Sequence, residues 1–192
     1  FSLTLIGEVA SGGMVQRAGA KIGDDIFVTG TIGHGFIGLE DAKAERSSPC
    51  RDLFEYPQPP LAFALVAASY MSAAVDVSDG LAADLGHICK ASVCGMQIDL
   101  PAIPFADPAS KNLLAQLNGG DDYQLAFTAA SENHDKLKQL AAEQSIQLSK
   151  IGHITDGSDL ILLNSDGLTL DYSSTGTSQE LPSGFSHFGM KK

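Results

Sequence analysis

Basic residues are scarce in this sequence: Lys and Arg number 12 against 23 Asp and Glu, so its 192 residues carry a net charge of -11. Such a field repels phosphate backbones and anionic lipid, which argues against nucleic acid as a partner. An anionic small substrate is repelled as well, unless a bound cation turns selected carboxylates into a ligand set. Long apolar runs are also lacking. The richest stretch, residues 61–71, falls far short of the roughly 18 to 20 residues that a membrane helix needs, which excludes a helical membrane span. The three cysteines, Cys50, Cys89 and Cys94, match no zinc-binding spacing and leave one thiol without a mate. They read as reduced, buried thiols of a cytoplasmic protein. There is no G-x-x-x-x-G-K-[ST] phosphate loop and no G-x-S-x-G nucleophile elbow. At 44% hydrophobic and 18% charged residues, the chain has the material for one substantial core, which excludes a disordered tail or a disulfide-stapled miniprotein.

The hydrophobic pattern alternates between the two periods of regular structure. Residues 3–9 alternate as a strand in need of a partner, residues 26–29 form a short β-branched and aromatic strand, and residues 35–45 look helical. Residues 47–60 hold Pro49, Pro57, Pro59 and Pro60 and are expected to be a rigid connector that neither continues a helix nor joins a central strand. Residues 61–71 are apolar on nearly every side, which predicts a helix buried by neighbours on several faces. A strand over residues 73–77 leads into a helix bearing Leu81, Leu85 and Ile88, with Ser78 or Asp79 as its N-cap. A strand at 96–100, a short helix at 110–117 and a strand at 123–128 follow. Ser131 is expected to cap a helix reaching Gln144, with Leu137, Leu140 and Ala141 facing inward. Strands at 148–154, 160–164 and 168–172 end the chain, with Ser165-Asp166-Gly167 as a hairpin turn. Interleaved strands and helices followed by successive strands indicate an α+β fold with helices packed on a mixed sheet.

Three constellations carry chemistry. Gly33-His34-Gly35-Phe36-Ile37-Gly38 fits G-x-G-x-x-G after a strand, but the second strand with its acidic residue, needed about 20 positions on for dinucleotide binding, is replaced by the proline connector. What remains is a Gly-rich turn that brings backbone close to something. Asp76-Val77-Ser78-Asp79 sets two carboxylates and a hydroxyl at a strand-to-helix junction. Either Mg2+ sits between these acids and a phosphate that the Ser78 hydroxyl or backbone N–H groups touch, or Ser78 and Asp79 simply cap the helix, with Asp84 a solvated residue one turn on. Gly119-Gly120-Asp121-Asp122-Tyr123 puts two adjacent acids on a turn before a strand, and a polar turn explains that equally well. The five histidines form no ligand pattern and read as structural or surface residues.

Taken together, Asp76-Val77-Ser78-Asp79-Gly80-Leu81, Asp84-Leu85-Gly86-His87 and Gly119-Gly120-Asp121-Asp122-Tyr123 resemble the thiamine-monophosphate kinase family, in the aminoimidazole-ribonucleotide-synthetase-like superfamily. Arg17-Ala18-Gly19-Ala20-Lys21-Ile22-Gly23-Asp24 and Gly184-Phe185-Ser186-His187-Phe188 add to the resemblance. It implies the carboxyl-terminal domain fold of that superfamily and Mg2+-dependent transfer of a phosphoryl group from ATP to thiamine monophosphate, giving thiamine diphosphate and ADP. It further implies Asp76 and Asp79 as Mg2+ ligands, Ser78 and Arg17 as ATP contacts, Asp121 as a ligand of the thiamine phosphate, and Phe185 as a surface for its ring system. No residue is assigned as a covalent catalyst. The resemblance also makes residues 1–10 the last strand of an amino-terminal domain and residues 11–192 the carboxyl-terminal domain. On that expectation the full-length protein is a homodimer, and this chain alone turns over poorly or not at all. Two other readings stand beside it: another ATP-dependent enzyme of the superfamily acting on a different acceptor, and a non-catalytic binding or assembly module.

Overall fold

The computed structural model describes residues 3–4, 6–9, 13–166 and 169–171. Seven strands form one mixed sheet among these residues: β1 (Asp25–Thr29), β2 (Ala73–Val77), β3 (Gly95–Asp99), β4 (Gln124–Ala129), β5 (Leu148–Thr155), β6 (Leu160–Leu163) and β7 (Thr169–Asp171). Their spatial order is β2-β4-β1-β5-β3-β6-β7. The β3/β6 pair is parallel and the other neighbours are antiparallel. This is the α+β arrangement that the sequence pattern indicates.

Alternation along β1 shows why the sheet is covered on both faces. Ile26 and Val28 enter one core with Val75, Val77, Met96 and Ile98, while Phe27 enters a second core with Phe63, Phe127, Leu137 and Leu140. Side chains of successive strand residues point to opposite faces, so each face needs its own cover. Helix α4 (Leu81–Ser92) buries Leu81, Leu85 and Ile88 on the first face. Helices α3 (Leu61–Ala67) and α6 (His134–Glu143) cover the second, where Phe27 and Phe127 stack with ring centroids 5.2 Å apart. As the spacing predicts, Leu137, Leu140 and Ala141 are the buried residues of α6.

Several local expectations are corrected. The proline connector contains a helix, α2 (Pro49–Glu55), because Pro49 occupies the first turn, where its missing N–H is no loss, and the Ser48 hydroxyl accepts from the Arg51 amide at 3.1 Å. The α3 helix is buried on one side only: Phe63 and Ala67, four residues apart, face the core, while Leu61, Leu65 and Val66 are exposed. Ser131 caps nothing; residues Ser131–Asn133 form a 3-10 turn and α6 begins at His134. Of residues 3–9, those described lie in no strand, and Leu3, Ile6 and Val9 are exposed. A strand needs a hydrogen-bonding neighbour, and the Ala74 N–H on the β2 edge is already engaged by the Gln16 carbonyl at 3.0 Å. The cysteines are free, with Cys89 and Cys94 buried and Cys50 half-buried, and burial pushes the Cys89 thiol up to about 12.

Two further helices complete the frame of the site. Helix α1 (His34–Lys43) follows β1, and α5 (Leu113–Asn118) precedes β4. No helix among the described residues is long and apolar enough to cross a membrane.

Candidate functional site

The sheet register gathers the chemistry. Val77 at the end of β2 lies opposite Gln124 at the start of β4, and Val28 near the end of β1 lies opposite Ala126. The segments leaving β2 and β1 and the one entering β4 therefore meet at one edge of the sheet. Those segments are 78–80, 30–35 and 119–123, the three that the sequence singles out.

At the β2–α4 junction the expected cap is reversed. Neither Ser78 nor Asp79 caps α4; its N-cap is Gly80, at φ 116, with no side-chain cap. Instead, Asp84 reaches back from the first turn, and its Oδ2 accepts from the Ser78 and Asp79 amides at 3.0 and 3.1 Å. Asp84 is 1% exposed, not a solvated residue. Burial raises its pKa, and the charges of Asp79 and Asp76 push the same way, against the two amide bonds. Because those amides are engaged, the Ser78 hydroxyl, not its backbone, is the group left to meet a phosphate.

The 119–123 turn is bound to that junction. The Asp121 amide donates to the Ser78 carbonyl at 2.9 Å, and the Tyr123 amide to the Val77 carbonyl at 2.8 Å. Asp121 and Tyr123 sit in the left-handed region, at φ 57 and 49, where a side chain is disfavoured. The Tyr123 hydroxyl donates to Asp121 Oδ1 at 3.1 Å. Between them Asp122 turns inward, 7% exposed, and its two oxygens accept from the Gly33 amide at 2.8 Å and the Gly35 amide at 2.9 Å. Burial pushes the Asp122 carboxyl up to about 6, more than the amide bonds pull it down. The Gly-rich turn is thus close to something definite: a carboxylate of its own chain occupies the amides that start α1.

The structure brings Asp76, Ser78, Asp79 and Asp121 to one place. Asp76 is exposed on β2 and Asp79 half-buried, and burial, then Asp121, then the charges of Asp76 and Asp79 raise the Tyr123 hydroxyl. Arg17 lies elsewhere. Its carbonyl accepts from Ser92, the last residue of α4, whereas Ser78 precedes the first turn; twelve residues at 1.5 Å rise separate those ends by about 18 Å. Phe185 lies outside the described residues. The sequence reading gives Asp84, Asp122 and His87 no site role, taking them as a solvated residue, a member of a polar turn and a structural or surface histidine. The signals for them are an acid five residues beyond Asp79, the second member of an acidic pair, and a histidine one turn after Asp84.

For a cation, the donor atoms of Asp79, Asp84 and His87 lie within 4.8 Å of one another. Mg2+ takes one or two carboxylates and keeps several waters, so Asp76 and Asp79, the more accessible acids, fit it better than an imidazole or the amide-bound Asp84. None of the ion pairs among the described residues involves Asp76, Asp79, Asp84, Asp121 or Asp122. Among the described residues their charges gather without a Lys or Arg ion pair, an electrostatic setting that suits a metal-phosphate site.

Comparison with known proteins identifies the family and the fold. The family model for AIR synthase related protein, C-terminal domain, matches residues 21–163. The thiamine-monophosphate kinase of Escherichia coli O157:H7 is 35% identical over 189 residues, covering 90% of this chain and 58% of the relative. That of Bacillus subtilis (strain 168) is 33% identical over 168 residues, covering 81% of this chain and 52% of the relative. Among solved structures, the thiamine-monophosphate kinase from Stenotrophomonas maltophilia K279a superimposes with a TM-score of 0.76 at 32% identity, over 84% of this chain and 56% of that one. A structure described as AaThiL complexed with AMPPCP and TMP gives 0.71 at 26% identity, over 91% of this chain and 54% of that one. The hydrogenase maturation protein HypE of E. coli, at 15% identity and a TM-score of 0.65, shares the fold alone. The chain spans about half the length of the relatives it matches.

Proposed function

The chain belongs to the AIR synthase related family, whose C-terminal domain it carries, and from that premise we propose that it is the carboxyl-terminal part of a cytoplasmic, Mg2+-dependent thiamine-monophosphate kinase. Residues 1–10 are then the end of an amino-terminal domain that contributes further metal-binding aspartates, and the full-length protein is a homodimer. The observation that carries the reading is the meeting of Asp76, Ser78, Asp79 and Asp121 at one sheet edge with no ion-pair partner among the described residues. It is supported by the AMPPCP and TMP held by a relative of the same fold.

Phosphoryl transfer needs in-line positioning and charge neutralisation more than covalent chemistry. When bound at Asp76 and Asp79, Mg2+ neutralises phosphate charge. The chain's own part is positional. Asp84 fixes the backbone of residues 78 and 79, which leaves the Ser78 hydroxyl free to approach an ATP phosphate oxygen. Asp121, held by its bond to the Ser78 carbonyl, takes the thiamine phosphate. Arg17 serves the far end of the nucleotide, and Phe185 packs on the thiamine rings.

The test is ADP release by the protein at its native length with ATP, Mg2+ and thiamine monophosphate, beside the same assay on these 192 residues. The long protein is expected to turn over at about 1 to 100 per second and the short chain far more slowly. Asp76→Asn and Asp79→Asn are expected to weaken Mg2+-dependent nucleotide binding, and unchanged affinity would overturn their assignment. If Phe185→Ala leaves thiamine phosphate affinity untouched, the acceptor is a different one.

A further inference from the structure

We propose that Asp122 is a positioning residue: by gripping the Gly33 and Gly35 amides it pins the start of α1 to the 119–123 turn and so fixes where Asp121 presents its carboxylate. The link to substrate rests on the reading of Asp121 as the ligand of the acceptor, whereas the grip itself stands on geometry alone.

The grip joins segments 89 and 87 residues apart in sequence, and it is tight. A methyl group on Gly35 would lie 2.2 Å from the Gly120 carbonyl oxygen and 2.7 Å from the Asp121 carbonyl carbon, so backbone packs directly on backbone. Gly120 is equally close to the other side of the site, since a methyl there would lie 2.4 Å from the Ser78 carbonyl oxygen. The turn is therefore wedged between α1 and the β2–α4 junction. Both residues flanking Asp122 are held in the left-handed region without being glycine, a conformation that persists only where surrounding contacts enforce it. Four bonds do so: Asp121 to Ser78, Tyr123 to Val77, and between them the two that the Asp122 carboxylate accepts at the start of α1. The first two come from the metal side of the site. Among the described residues, the Asp122 grip supplies the hydrogen bonds that tie the turn to α1 on the opposite side.

The nucleotide side has a separate anchor, Asp84, so release of Asp122 should move the acceptor ligand while sparing Asp76, Ser78 and Asp79. That separation distinguishes a positioning role from a general loss of fold. The titratable groups that act on Asp122 are Asp121 on its own turn and Cys50 on α2, while His34 on α1 meets it through its backbone amide.

The experiment uses the protein at its native length, with isotope-labelled amides followed by NMR from about pH 4.5 to 8, and calorimetric binding of thiamine monophosphate and of AMPPCP with Mg2+. Amide shifts read the grip directly, whereas thiamine phosphate binding alone would not, because a phosphate monoester titrates near pH 6 itself. In the wild type the Gly33, Gly35, Asp121 and Tyr123 amides are expected to move together, with one midpoint near 6 that disappears in Asp122→Asn. Asp122→Asn is also expected to weaken thiamine monophosphate binding by about tenfold or more, and AMPPCP binding by no more than about twofold. Gly35→Ala, which leaves Asp122 in place, should give the same one-sided loss, and it stands in if Asp122→Asn fails to fold. Amides that titrate independently, or as before in Asp122→Asn, would overturn the grip. Equal losses for both ligands, or none for thiamine monophosphate, would overturn the positioning role. A wild type that binds no thiamine monophosphate would sink the kinase reading, with the grip still decided by the amides.

Discussion

Two buried aspartates do the same job at this site by different routes. Asp84 binds the amides of Ser78 and Asp79, six and five residues away on the strand-to-helix segment it belongs to. Asp122 binds the amides of Gly33 and Gly35 from the far side of the sheet register. Ser78 and Asp79 are half-buried, whereas Gly33 and Gly35 are buried. Both carboxylates are buried, but the amides that Asp122 holds belong to the more buried residues. The local clamp shapes one loop, and the distant one joins two. Both carboxyls are raised by burial, unlike Asp41, whose carboxyl the Ser48 hydroxyl and the Arg46 guanidinium hold below the usual range.

The largest difference to measure is in pH. The Asp122 carboxyl titrates at 3.8 in its unperturbed state and about 6 when folded, so the folded chain holds the proton more tightly. The stability this contributes is full below pH 3.8 and is lost as pH rises through about 6. Urea unfolding of the wild type and Asp122→Asn should show a stability difference that shifts by up to about 3 kcal/mol across that window, against the wild type at the higher pH. A difference constant with pH would mean that the carboxyl is not confined as the structure has it. Next comes the direct comparison. At neutral pH, Asp122→Ala is expected to cost about 2 kcal/mol and Asp84→Ala about 1, because an orphaned amide costs more the less water reaches it. Equal costs would mean that the two loops are equally wet, and the distinction between the clamps would fall.

That distinction also marks how far the sequence can be read. Alternation at Ile26, Phe27 and Val28, and helical spacing at Leu137, Leu140 and Ala141, are local signals, and the sheet faces follow them. Asp76, Ser78, Asp79 and Asp121 are legible because their motifs are contiguous. Asp122 and Gly33 are not a pair in any local sense; only the antiparallel register of β1 with β4 makes them neighbours. The Asp84 clamp on the Ser78 and Asp79 amides is hidden for a subtler reason, since an acid inside the first turn reads as solvated until its burial is known. In α3 the composition conveys apolarity but not which side another element covers, and in α2 proline reads as a breaker although at the first helical turn it is a starter.

The smallest effect tests whether α1 is held by its start or along its length. Behind the Asp122 grip, α1 lies against α2 so closely that a methyl on Gly38 would sit 2.4 Å from the Cys50 carbonyl oxygen. Ser48 holds that side twice: its hydroxyl accepts from the Arg51 amide, capping α2, and donates to Asp41 on α1. Ser48→Ala removes both bonds, and a lost N-cap of this kind costs about 1 kcal/mol. If Asp122 governs the start of α1, that loss is expected in urea unfolding while the Gly33 and Gly35 amide resonances keep their wild-type shifts and common midpoint. Amides that move with Ser48→Ala would mean that α2 sets the position of α1, with Asp122 following an arrangement made elsewhere. The distant clamp would then be a consequence of helix packing, and Asp84 alone would shape the site from within.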